Sequence, residues 1–86
     1  MHVVISGASK GIGRELSLAY AKKGCSVAIL ARNGDLLKTL AKEIEQVGGK
    51  ALALPCDVAN ETIVRECVAK SLAKFGPIDL LIANAG

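Results

Sequence analysis

The stretch Ser6-Gly7-Ala8-Ser9-Lys10-Gly11-Ile12-Gly13 is where this 86-residue sequence concentrates residue types that can do chemistry. Three glycines, spaced Gly-x-x-x-Gly-x-Gly, follow a short β-branched run and open a helical pattern. Gly7 lets the chain leave a strand in a backbone conformation that side chains resist. Gly11 and Gly13 lack a Cβ, so an anion can approach the backbone and a helix can pack close to a sheet. The free N–H groups and partial positive charge of a helix N-terminus favour a diphosphate at such a turn. Ser9 and Lys10 can add donors. The spacing is neither the G-x-G-x-x-G fingerprint nor a P-loop, because no Lys-Ser/Thr pair follows a final glycine. The alternative is a tight strand-to-helix turn with no ligand. The position between a strand and a helix favours the phosphate site.

A second feature concerns the sugar end of such a ligand. In dinucleotide-binding folds an acidic residue about 20 positions past the glycines holds the ribose 2′-hydroxyl. Here the corresponding stretch reads Leu30-Ala31-Arg32, and the next carboxylate is Asp35. Arg32 and Lys10 offer positive charge suited to a 2′-phosphate, which a carboxylate would repel. NADP(H) is therefore expected ahead of NAD(H). The plainer alternative for Arg32 is a solvated surface arginine.

These residues need elements to hold them. His2–Ser6, Ser26–Ala31, Lys50–Pro55 and residues 78–83 are short apolar runs suited to buried strands. Residues 12–23 have helical spacing, with Ile12, Leu16, Ala19 and Tyr20 expected inward. Residues 35–47 place Leu36, Leu40, Ile44 and Val47 on one side. Residues 61–75 place Ile63, Val64, Cys67, Val68, Leu72 and Phe75 inward. Gly24, Gly48-Gly49 and Gly76-Pro77 end the three helices, and Asn33-Gly34 marks a turn. Asp57 and Asn60 suit turn and N-cap roles. The order β-α-β-α-β-α-β specifies an α/β fold with a parallel sheet and helical crossovers, without repeats or linkers.

Composition excludes several classes. Apolar residues make up 51% and aromatics 2%, and the formal charge is +3. Disorder does not fit such apolar content. Scattered charge and scarce rings give no support to nucleic-acid binding. No run approaches the roughly 18 apolar residues of a membrane span. Three separated cysteines, Cys25, Cys56 and Cys67, suggest neither a disulfide framework nor a metal site, and the single His2 makes no metal site either. With no signal peptide pattern at the N-terminus, a cytoplasmic location is expected.

With Ala31-Arg32-Asn33, Cys56-Asp57-Val58 and Asn84-Ala85-Gly86 following the second, third and fourth strands, the glycine loop completes four motifs in register. The whole chain thereby resembles the short-chain dehydrogenase/reductase family. Ala83 stands where that family usually has a first Asn. The resemblance implies a Rossmann-like doubly wound sheet of strand order 3-2-1-4. It implies adenine contacts from Asp57 and Val58, and an adenosine-ribose wall from Asn84, Ala85 and Gly86. Asp57 is as well suited to a turn or cap, and both roles can coexist. The family's catalytic Tyr-x-x-x-Lys pair and its Ser are absent from residues 1–86; the only tyrosine, Tyr20, is followed four residues on by Gly24. The expectation is thus a cofactor-binding segment of a short-chain oxidoreductase, cut before its catalytic half. The missing half would carry the substrate pocket and, in the full-length protein, any homo-oligomer interface. Such a cut leaves apolar surface beside residues 78–83. A non-catalytic dinucleotide-binding or interaction module, complete at 86 residues, is the rival reading.

Overall fold

The computed structural model describes residues 1–84. Along them run β1 (His2–Ser6), α1 (Gly11–Lys22), β2 (Ser26–Ala31), α2 (Gly34–Gln46), β3 (Lys50–Pro55), α3 (Glu61–Phe75) and β4 (Leu80–Ala83). All strand pairings are parallel, in the order β3-β2-β1-β4. This is the Rossmann-like order expected from the sequence. β1 is central, flanked by β2 and β4, so the chain reverses its direction of travel across the sheet at β1. The crevice where such sheets bind ligands lies at the carboxyl ends of those strands.

The continuous apolar runs of β1 and β2 are divided by the two-residue period of a strand. Val3, Ile5, Val27, Ile29 and Ala31 pack with Ala21 of α1 and Leu37, Leu40 and Ile44 of α2. Val4, Ala28, Leu30 and Leu54 pack on the other side with Cys67 of α3. A strand covered by helices on both faces must be apolar at every position, which is why β1 and β2 show no polar alternation.

The helices dock differently from their apolar spacing. In α1 the buried residues are Gly13, Ser17 and Ala21. Ile12, expected inward, is 69% exposed, Ala19 is exposed, and Leu16 and Tyr20 only flank the core. The small i, i+4, i+8 stripe lets α1 lie closer than leucines would. A Cβ on Gly13 would stand 2.4 Å from the Gly7 carbonyl oxygen. The Ser17 hydroxyl donates to the Gly13 carbonyl at 2.7 Å, which satisfies it inside the interface. In α2 the inward stripe is Leu37, Leu40 and Ile44, while Leu36 and Val47 face outward. In α3 it is Cys67 and Ser71, with Val64 alongside, while Ile63 and Leu72 are exposed. Asn33 and Asn60 cap α2 and α3, accepting from Leu36 N at 3.0 Å and Ile63 N at 3.2 Å.

Strand β4 starts at Leu80, two residues later than the apolar run suggests. The preceding residues are engaged with His2 instead. Asp79 N donates to the His2 carbonyl at 2.9 Å, and His2 N donates to Asp79 Oδ2 at 2.7 Å. His2 is also held by its side chain. Its ring is buried, edge-on to Phe75 at 5.2 Å, with Nδ1 3.0 Å from the Gly76 carbonyl. β4 is covered on one face only: Leu80 and Ile82 join the core, and Leu81 is 61% exposed. Exposed apolar surface beside this strand is therefore present, as the sequence suggests.

Candidate functional site

The segments that follow the carboxyl ends of the strands meet around one cleft. The loop after β1 leaves the strand with Gly7 at φ 65° and enters α1 with Gly11 at φ 56°. Both angles lie in the left-handed region, where a side chain is strained. Ala8 N donates to the Leu30 carbonyl at 3.3 Å, tying the loop to β2. Lys10 occupies the N-cap of α1 but forms no side-chain cap, and no acidic residue lies in the first turn. The leading N–H groups of the helix therefore keep their partial positive charge undiminished.

The end of β4 is fastened to this loop. Asn84 Nδ2 donates to the Gly7 carbonyl at 3.2 Å, and Asn84 N donates to the Ser6 hydroxyl at 3.3 Å. That hydroxyl in turn lies 3.5 Å from the Ile82 carbonyl. Gly13 lies beneath, where a Cβ would also come within 2.8 Å of Asn84 Nδ2. Gly13 thus serves the packing of loop, helix and strand end rather than lining the opening.

Beside the loop, a cleft of about 400 Å³ is lined by Gly7, Ser9, Lys10, Arg32, Asp57 and Val58, all named from the sequence, together with Ala31, Asn33 and Ala59. Arg32 and Asp57 project from the ends of neighbouring strands, which Cys56 N holds together by donating to the Ala31 carbonyl at 2.9 Å. Arg32 Nη2 and Asp57 Oδ1 form an ion pair at 3.2 Å, with side chains 75% and 45% exposed. Asp57 Oδ1 also accepts from Ala59 N at 3.0 Å, so the turn role foreseen for it is real. That backbone donor, and then the Arg32 guanidinium, hold the Asp57 carboxyl below its ordinary 3.8. Next to it, burial pushes the Cys56 thiol up to about 11, with the adjacent Cys67 thiol and the Asp57 charge adding to the shift. Such a thiol is inert at neutral pH.

An apolar groove of about 480 Å³ continues from this cleft along β4 and α3. Val58 and Ala59 belong to both, and Asn84 lines the groove. Of the remaining site residues named from the sequence, Gly11 supplies loop geometry and Ile12 points outward. Ala85 and Gly86 lie outside the described residues. Ser6, which joins β1 to the end of β4, and Asn33, which caps α2 at the rim of the cleft, carry site roles that sequence reasoning gave to neither. A hydroxyl closing a strand before the glycines, and an Asn directly after the basic residue, were the available signals.

The cleft can hold an anion: uncapped helix N–H groups, the Lys10 ammonium and the Arg32 guanidinium border it, and Asp57 is a carboxylate acceptor for an amine. Among the described residues no tyrosine or histidine lines the cleft. Tyr20 sits near the far end of α1 with the Lys23 ammonium 5.9 Å from its ring centroid. No group of three metal-ligating side chains occurs among the described residues, and no helix there is long and apolar enough to cross a membrane.

Comparison with known proteins agrees with the geometry. The family model for short chain dehydrogenases matches residues 1–86. A short chain dehydrogenase of Pseudocercospora fijiensis is 41% identical over 83 residues, covering 96% of this chain and 27% of its own length. A 3-ketoacyl-ACP reductase from Sinorhizobium meliloti superposes with a TM-score of 0.94 at 41% identity, over 100% of this chain and 34% of that one. L-Sorbose reductase from Gluconobacter frateurii, solved with NADPH and L-sorbose, superposes with a TM-score of 0.91 at 35% identity, over 99% and 33%. The chain thus spans about a third or less of the length of these relatives.

Proposed function

Because the chain belongs to the short-chain dehydrogenase family, we propose that it is the cofactor-binding segment of an NADP(H)-dependent oxidoreductase. In this reading the uncapped N-terminus of α1, with Gly7, Ser9, Lys10, Gly11 and the Ile12 backbone, holds the diphosphate. Gly13 keeps helix and strand end close enough to form the cradle. Arg32 and Lys10 take the 2′-phosphate, Asp57 and Val58 meet the adenine, and Asn84, with Ala85 and Gly86, flanks the ribose. The bound cofactor supplies a hydride for a carbonyl, or takes one from a hydroxyl. The tyrosine, lysine and serine of the family pattern would come from chain outside these 86 residues, as would the substrate pocket.

The observation that carries this reading is the charge of the cleft. Two cations, Lys10 and Arg32, line it, and its one carboxylate, Asp57, is already paired with Arg32. The residue closing β2 and those after it carry no acid before Asp35 in α2, so nothing replaces a 2′-phosphate with a ribose-binding carboxylate. That the Gluconobacter reductase was solved with NADPH is consistent with this choice.

Calorimetric titration of the full chain with NADPH and NADH tests it. A charged hydrogen bond contributes about 1.5–3 kcal/mol. Arg32→Ala is therefore expected to weaken NADPH by about ten- to 150-fold and to change NADH less than about twofold. Equal losses for both cofactors would remove the assignment of NADP(H).

A further inference from the structure

The guanidinium expected to meet a 2′-phosphate is already engaged. Arg32 Nη2 lies 3.2 Å from Asp57 Oδ1, the only ion pair that Arg32 makes among the described residues. The two side chains sit on adjacent strand ends and line the same cleft. Asp57 is fixed from behind by the Ala59 N–H, whereas Arg32 is 75% exposed and on a long flexible stem. Of the two, Arg32 is the one that can move. A phosphate dianion entering the cleft attracts that guanidinium more strongly than one carboxylate does, and bidentate geometry favours the phosphate further. The carboxylate left behind then faces a second negative group across the cleft.

We propose that Asp57 is a specificity-determining residue, whose carboxylate holds Arg32 in the free protein and competes with a 2′-phosphate for it. Preference for NADP(H) over NAD(H) is then set by an exchange of ion-pair partners and not by Arg32 alone. A cofactor lacking the phosphate leaves the pair in place. A cofactor carrying it must break the pair, so the pair lowers the selectivity that Arg32 would otherwise confer. The inference rests on the assignment of Arg32 to a 2′-phosphate.

The test is a double-mutant cycle on the ratio Kd(NADH)/Kd(NADPH), measured by calorimetry at low salt on the full chain and on Arg32→Ala, Asp57→Asn and the double variant. Any contact of Asp57 with adenine affects both cofactors and cancels in the ratio. Asn keeps a carbonyl to accept from Ala59 N, and far-UV circular dichroism checks the fold; Asp57→Ser carries the same expectation should the Asn variant not fold. Exposed ion pairs of this kind correspond to about a 1.4- to fivefold effect. Asp57→Asn is expected to raise the ratio within that range in the presence of Arg32 and to raise it less in the Arg32→Ala background, where only the repulsion between carboxylate and phosphate is relieved. A ratio that falls or stays constant in Asp57→Asn, while Arg32→Ala collapses it, overturns the exchange but keeps the NADP(H) reading. An equal rise in both backgrounds means simple repulsion by Asp57 and also overturns the exchange. If Arg32→Ala leaves the ratio unchanged, or neither cofactor binds the folded chain, the underlying reading fails and the exchange fails with it.

Discussion

Gly13 lies within a helix, so general helix energetics and the local geometry make opposite forecasts for Gly13→Ala. Alanine is about 1 kcal/mol better than glycine inside a helix. On propensity alone the substitution would stabilise the protein. In this structure the new methyl would stand 2.4 Å from the Gly7 carbonyl oxygen, 2.8 Å from Asn84 Nδ2 and 3.0 Å from the Ala8 Cα. Ordinary contact begins near 3.4 Å, so α1 and the loop must separate by about 1 Å at the tightest point. Two of the three obstacles are backbone, which cannot rotate away. Overpacking costs typically about 1–3 kcal/mol, and a backbone collision belongs at the upper end. Subtracting the propensity gain leaves a net loss of about 2 kcal/mol. For a domain of this size, about 4–8 °C of Tm accompanies each kcal/mol. The expected fall is therefore about 8–16 °C, read by thermal circular dichroism and by the urea midpoint. Asn84→Ala should cost less in the Gly13→Ala protein than in wild type, because there it also deletes one of the three obstacles. A Gly13→Ala protein with an unchanged or higher Tm would refute the close approach of α1 to the glycine loop.

Two further outcomes are expected. Cys56 holds its proton to about pH 11 when folded, against 9.0 for a free thiol; its contribution is complete below pH 9 and lost as pH rises toward 11, because the unfolded chain releases a proton that the folded chain keeps. The drop in urea midpoint between pH 8.5 and 10.5 should accordingly be smaller in Cys56→Ala than in wild type, and equal drops would contradict the shift. Asn60→Ala removes the side chain that caps α3 through Ile63 N and should cost about 1 kcal/mol, whereas Thr62→Ala, at the exposed second residue of the same helix, should be close to neutral by the same denaturation assay.

Strand positions were legible in the sequence because His2–Ser6, Ser26–Ala31 and Lys50–Pro55 have apolar interiors bounded by glycine, proline or turn residues; β3, expected to be buried, lies at the sheet edge, and only its Leu54 is buried. Helix faces were less legible. Apolar spacing selects Ile12 and Leu16 in α1, yet the interface uses Gly13, Ser17 and Ala21, since close approach rewards small side chains and not large ones. The late start of β4 was hidden because the pairing of His2 with Asp79 joins residues at opposite ends of the sequence. The site shows the same division. Lys10, Arg32 and Asp57 could each be picked out by position after a strand, one ligand group at a time. That Arg32 and Asp57 bind each other depends on β2 and β3 being neighbours, which no single motif contains.

The bond from Asn84 to Gly7 spans 77 positions of the chain, which gives the cleft a birth order. At about 5–20 residues per second, a ribosome needs roughly 4–15 s after making Gly7 before it adds Asn84. Through that interval β1, β2 and β3 can pair, but β1 has no neighbour on its other side. A nascent chain therefore presents the backbone edge of β1, whose Val3, Val4 and Ile5 are fully buried in the folded protein, to solvent or to a chaperone for seconds at a time. A ligand of the finished cleft cannot shorten this exposure, because the rim that Asn84 supplies is made 77 positions after Gly7. Whatever protects that edge during synthesis acts before the cleft exists to hold a ligand.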